Sequence, residues 1–186
     1  HVQTLTQGRV TPTIIHNAVH PDFLEVGKQR EYSSATSPFV ILCARRLTPK
    51  NGVVFAVEMA RELNGRGVDF TLRLAGSGEE RHMIEEKIAD YGLGERVQML
   101  GAIDRPRMLE QLRQSSAAVV PSVTHEGVEE ATSISVMEGM AAGLPVLGSD
   151  IGGISALITH EVNGFLVPQR EPAALADAVC SLVADP

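Results

Sequence analysis

The chain has 186 residues, a length that fits one domain with short extensions, and its 44% hydrophobic and 21% charged residues suit a globular protein with a buried core. A formal net charge of -7 argues against broad binding to a nucleic-acid phosphate backbone, while leaving room for a local basic site. Aromatics at 4%, with no Trp, argue against base stacking on a single strand and against an aromatic sugar platform.

Residues 1–37 read as a lead-in to a domain at 38–186. "TPTIIHNAVHPDFL" can hold one strand and a turn, and "EVGKQREYSSATS", polar and Ser-rich, a loop. Phe39 to Ala44 is an apolar strand. "GVVFAVEMARELNGRG" is a helix whose Val53, Val54, Val57, Met59, Ala60 and Leu63 form a broad apolar face, with Gly65 near its stop. "VDFTLRLAG" is the next strand, and "GEERHMIEEKIADYGL" a helix turning Met83, Ile84, Ile88 and Tyr91 inward. "RVQMLG" is a short strand. "DRPRMLEQLRQS" is a helix opened by Asp104, with Pro106 in its first turn. "SAAVVPS" is a buried strand and "SISVMEGMAAG" a helix closed by Gly143 before Pro145. Two strands, "LPVLGSD" and "NGFLVP", precede a last helix, "EPAALADAVCSLVA". The alternation predicts an α/β fold, a doubly wound, Rossmann-like parallel sheet. Cys43 and Cys180 read as buried reduced thiols. No signal peptide is seen, and no apolar run near the membrane-spanning length.

In such a sheet, ligands sit beyond the C-terminal strand ends. "ARRLTPKNG" places Arg45, Arg46 and Lys50 at one of these ends, which suits either a solvated basic loop or a diphosphate site. "AGSGEE" is a lone Gly-x-Gly and supports no more than a tight turn; the dinucleotide fingerprint is absent. Beyond "AAVVPS", an acidic loop leads to Glu130, and either Thr132 or Ser133 can cap the following helix, whose N-terminus is a natural phosphate seat. Glu130 on the loop and Glu138 inside the helix can border one cleft, where carboxylates accept from sugar hydroxyls. Gly139 and its small neighbours let the helix approach the sheet, and Gly152 and Gly153 let backbone approach a ligand. No histidine has a partner at metal spacing, and no Ser-His-Asp arrangement or Walker loop is present.

Together these residues resemble a known pattern. "EATSISVMEGMAAGLPVLGSDIGG" resembles the E-x7-E signature of retaining GT-B glycosyltransferases of family 4, the glycosyl transferases group 1. "ARRLTPKNG" resembles that family's Arg-x4-Lys clamp through Arg45 and Lys50, with Arg46 shifting the possible register by one residue. "RVQMLGAIDRPRMLEQLRQSSAAVVPS", "NGFLVP" and "TIIHNAV" are similar to its other segments. The resemblance implies the second, donor-binding domain of a two-domain enzyme that moves a sugar from a nucleoside diphosphate sugar with retention, in surface polysaccharide or lipopolysaccharide synthesis. It implies Arg45 and Lys50 on the diphosphate, Glu130 on the transferred sugar and Glu138 on the ribose. Thr132, Ser133, Ile134 and Ser135 would lie against phosphate, sugar or ribose, and Gly101, Ala102 and Ile103 against the base. It implies no metal and no cofactor, a cytoplasmic setting, and partners limited to the donor, the missing N-terminal acceptor domain and, through that domain, a membrane surface. The departures are "AT" after the first Glu, Ala44 before the clamp, and "EGMA" in the helix. The alternatives are a sugar-nucleotide epimerase of similar architecture and a non-catalytic nucleotide-binding module.

Overall fold

The computed structural model describes residue 9, residues 17–30 and residues 38–184. A helix α1 (Pro21–Lys28) is followed by β1 (Phe39–Ala44), a 3-10 turn (Pro49–Asn51), α2 (Val53–Gly65), β2 (Phe70–Ala75), α3 (Arg81–Asp90), β3 (Val97–Gly101), α4 (Arg105–Gln114), β4 (Ala117–Val120), α5 (Ile134–Ala141), β5 (Val146–Ser149), a short α6 (Gly152–Ser155), β6 (Gly164–Val167) and α7 (Pro172–Ala184). All six strands are parallel, in the order β3-β2-β1-β4-β5-β6. The order reverses between β1 and β4, so the crevice beyond their C-terminal ends is where this topology opens to a ligand.

Side chains alternate across the sheet with the strand period of two. Phe39, Ile41 and Cys43 of β1 and Ala117 and Val119 of β4 join one core, with α2, α3 and α7. Leu42, Ala118 and Val120 join the opposite core, with α1, α4, α5 and α6. Both faces are covered, which explains why the strands read as continuous apolar runs. On α2 the buried stripe is Val53, Ala56, Val57, Met59, Ala60 and Leu63, while Val54 is only half-buried. Burial pushes the Cys43 thiol up to about 12. Cys180 is half-buried rather than buried, because it lies beside Arg66 at the edge of α7.

The stretch read as a turn and a loop contains α1. His20 caps it by accepting from the Asp22 N–H, Pro21 occupies its first position, and Phe23 and Val26 are buried. Two apolar residues in eight give too short a stripe to stand out in a polar segment; the helix is completed by packing on α4 and α5. Arg30, just past its end, donates to the carbonyls of Leu112 (2.6 Å), Ser115 (2.9 Å) and Ala142 (2.8 Å), at the ends of those two helices. The strand expected in "TPTIIH" lies outside the described residues.

Candidate active site at the β1–β4 switch point

Three strand-end loops meet above the sheet, and glycines let them meet. A Cβ at Gly76 would collide with the Arg45 carbonyl oxygen and one at Gly78 with that of Leu47, so the lone Gly-x-Gly joins the β2 loop to the basic loop after β1. Gly52, at a φ of 62°, ends the 3-10 turn directly against the Pro121 carbonyl beyond β4. Gly152 and Gly153 were expected to let backbone approach a ligand. They instead abut the carbonyls of Glu130 and Ala131, and the Gly153 N–H donates to the Glu130 carbonyl at 2.7 Å. Close packing of one loop on another has the same glycine requirement as ligand contact, and the sequence pattern does not distinguish them.

The result is a cleft of about 660 Å³ bordered by Arg45, Arg46, Lys50, Glu130, Ile134 and Ser135, with Ala102 and Ile103 on the far wall. That volume is in the range of small-molecule sites. A second cavity of about 270 Å³ shares Ile103, Met108 and Ile134 with it and adds Val19, His20, Phe23 and Glu138. Ile134 is half exposed between the two, an apolar surface presented to whatever lies there. The cleft gathers three cations against one carboxylate on a chain whose overall charge is negative.

Arg45 and Glu130 form an ion pair at 2.5 Å, with side chains only 9% and 11% exposed. The same Arg45 Nη2 donates to Asn51 Oδ1 (2.6 Å) and Ser122 Oγ (2.8 Å), and Ser122 Oγ donates to Glu130 Oε2 at 3.4 Å. Arg46 is exposed and Lys50 half-buried in the cleft wall. Helix α5 opens at the cleft: Ser133 is its N-cap, accepting from the Val136 N–H, which resolves the choice between Thr132 and Ser133. Ser135 Oγ donates to the Ala44 carbonyl and ties the helix start to the end of β1. Glu138, half-buried one and a half turns on, has its carboxyl pushed up by burial, with Arg105 pulling it back down.

The structure therefore brings Arg45, Lys50, Glu130, Ile134, Ser135, Ala102 and Ile103 to one cleft and Glu138 to the adjoining cavity. Thr132 is exposed outside this lining, and Ser133 is buried with its hydroxyl spent on the cap. Gly101 ends β3, where its carbonyl accepts from the Gly76 N–H. Sequence reasoning missed Asn51 and Ser122, the polar residues that hold Arg45, and the His20 and Phe23 walls supplied by α1. Ser122 directly follows a strand, which was the available signal. Among the described residues no cluster of His, Cys, Asp or Glu could hold a metal ion, and no helix is long and apolar enough to cross a membrane.

The doubly wound parallel sheet is the fold of the GT-B glycosyltransferases, as its neighbours among solved structures show. The chain belongs to the glycosyl transferases group 1 family, whose model matches residues 27–186. It is 35% identical over 140 residues to the amylovoran biosynthesis glycosyltransferase AmsK of Erwinia amylovora, covering 75% of this chain and 34% of that protein. S. aureus TarM, solved with UDP among its ligands, superposes with a TM-score of 0.79 at 22% identity over 99% of this chain and 35% of its own. The pneumococcal O-GlcNAc transferase GtfA, solved with UDP and GlcNAc, gives 0.69 at 26% identity over 80% of this chain and 29% of its own. The chain spans about a third of the length of the curated relatives it matches.

Proposed function

We propose that residues 38–186, with the lead-in 1–37, form the donor-binding domain of a retaining glycosyltransferase that moves a hexosyl group from a nucleoside diphosphate sugar to an acceptor. The observation that carries this is the cleft at the switch point, where cations, the α5 N-terminus and Glu130 converge beside a pocket edged by Glu138. In this reading the cations and the helix dipole stabilise the negative charge that develops on the departing diphosphate, a role that requires no metal. Glu138 accepts from ribose hydroxyls, Ile134 packs on the ribose, and Ala102 and Ile103 face the base. Glu130 accepts from the transferred sugar. The acceptor site belongs to a further domain, so the chain alone binds donor without turning it over. The name of AmsK, an amylovoran biosynthesis glycosyltransferase, supports a place in polysaccharide biosynthesis; the proposed setting is the cytoplasmic side of a membrane.

Thermal unfolding of the chain against UDP, GDP, ADP, NAD and their sugar conjugates tests the proposal. A ligand at 100 times its dissociation constant adds about 2.7 kcal/mol, a clear rise in Tm. The expected outcome is a response to one nucleoside diphosphate and its sugar conjugate and none to NAD; a flat panel would overturn the donor-domain reading.

A further inference from the structure

We infer that Arg45 is a positioning residue that holds Glu130 toward the sugar, and that the phosphate-facing charge of the cleft is left to Arg46 and Lys50. The inference rests on the donor-site reading above and departs from the clamp that the motif spacing suggests. Arg45 is committed elsewhere. Its Nη2 already serves Glu130, Asn51 and Ser122, and its Nε is enclosed by protein with no partner among the described residues, which leaves Nη1 as the one uncommitted nitrogen of a side chain only 9% exposed. Turning the guanidinium toward a ligand would strand a buried carboxylate, which is strongly unfavourable.

Every member of the knot is itself held. Asn51 accepts from Arg45 with one end of its amide and donates to the Arg46 carbonyl at 2.8 Å with the other, fixing the loop on both sides of Leu47. The Glu130 backbone is held by the Gly153 N–H, and its side chain by Arg45 and Ser122, both through Oε2. Glu130 Oε1 makes no hydrogen bond with the described residues, although Glu130 lines the cleft, so it remains the open acceptor of a fixed carboxylate. Arg46 and Lys50 line the same cleft and form no side-chain hydrogen bond or ion pair within it. Their charges are unpaired among the described residues and available to an anion, whereas that of Arg45 is neutralised by its ion pair with Glu130.

Calorimetry on the full chain separates the two roles, with inorganic pyrophosphate as a base-independent probe and UDP, UDP-glucose, UDP-galactose and UDP-N-acetylglucosamine as the others. Arg46→Gln and Lys50→Gln are expected to weaken pyrophosphate and UDP about tenfold while Tm stays unchanged. Arg45→Gln is expected to lower Tm, to leave pyrophosphate affinity within about threefold, and to abolish the gain in affinity of the best UDP-sugar over UDP. Arg45→Lys keeps a cation beside Glu130 and should restore that gain. Should Arg45→Gln fold poorly, the Arg45→Gln/Glu130→Gln pair removes the stranded carboxylate and carries the pyrophosphate measurement. A tenfold loss of pyrophosphate affinity in that pair, with Arg46→Gln unaffected, makes Arg45 a phosphate ligand and overturns the inference while the donor-site reading stands. A sugar gain that survives Arg45→Gln, or is missing from the unmodified chain, also overturns it. Binding of none of these probes to the unmodified chain defeats the donor-site reading itself.

Discussion

Glu138 shows how a carboxylate half-buried beside a cavity weighs on the protein that carries it. Burial raises its carboxyl, so the native state keeps a proton over a pH interval in which the unfolded chain has already lost it. Stability attributable to this group therefore falls as pH rises from the ordinary value of 4.5 through the raised native value. Glu138→Gln carries no such term. Its Tm is expected to match that of the unmodified chain in acid and to exceed it at neutral pH, while nucleotide affinity drops, a trade of binding for stability that Tm and calorimetry across pH 4–8 would reveal. The spacing from Glu130 to Glu138 was legible in the sequence because a cap and one and a half turns of helix are local geometry. Asn51 and Ser122 were not legible as partners of Arg45, since only folding brings residue 122 to residue 45.

Among the elements, α1 depends most on its surroundings. Eight residues are too few for a stable isolated helix, so its helicity comes from docking. Gly27 lets it lie directly on α5, where a Cβ would strike the Ala141 carbonyl oxygen, and Arg30 caps the C-terminal ends of α4 and α5 together. Charge-assisted hydrogen bonds contribute about 1.5–3 kcal/mol each. Arg30→Ala is expected to cost about 2–3 kcal/mol in denaturant unfolding, and Gly27→Ala to detach α1 and remove the His20 and Phe23 walls of the smaller cavity. An unchanged denaturation midpoint for Arg30→Ala would contradict this account. The longer elements were readable because each carries a full apolar stripe: α2 shows its buried face in thirteen residues, and α4 announces its start through Asp104, which accepts from the Arg107 N–H at 3.1 Å. In α1 the stripe is two residues long, and the decisive contacts lie more than 80 positions away.

At the scale of the whole molecule, the alternation of strands and helices was enough to predict a doubly wound sheet, because a strand buried on both faces and followed by an amphipathic helix has few other places to go. The pairing order was not predicted, yet it sets the location of the cleft. β1 joins β2 on one side and β4 on the other, so the first and second halves of the chain meet along the β1–β4 seam. Arg45 and Glu130, 85 residues apart, bridge the two halves at the top of that seam.

That seam has a kinetic meaning. The β1-β2-β3 half can assemble from neighbouring strand-helix-strand units, whereas joining β4 to β1 closes a much longer loop and is slow by comparison. On that order of events the ion pair is expected to form late, after the barrier for docking the halves has been crossed. Substitutions at Arg45 or Glu130 are expected to steepen loss of the native state by raising the unfolding rate, with the refolding rate nearly unchanged in stopped-flow measurements. Slower refolding in Arg45→Gln would instead place the pair in the folding nucleus. The contact proposed to aim a carboxylate at a sugar is thus also expected to act as the clasp that sets how long the two halves stay together.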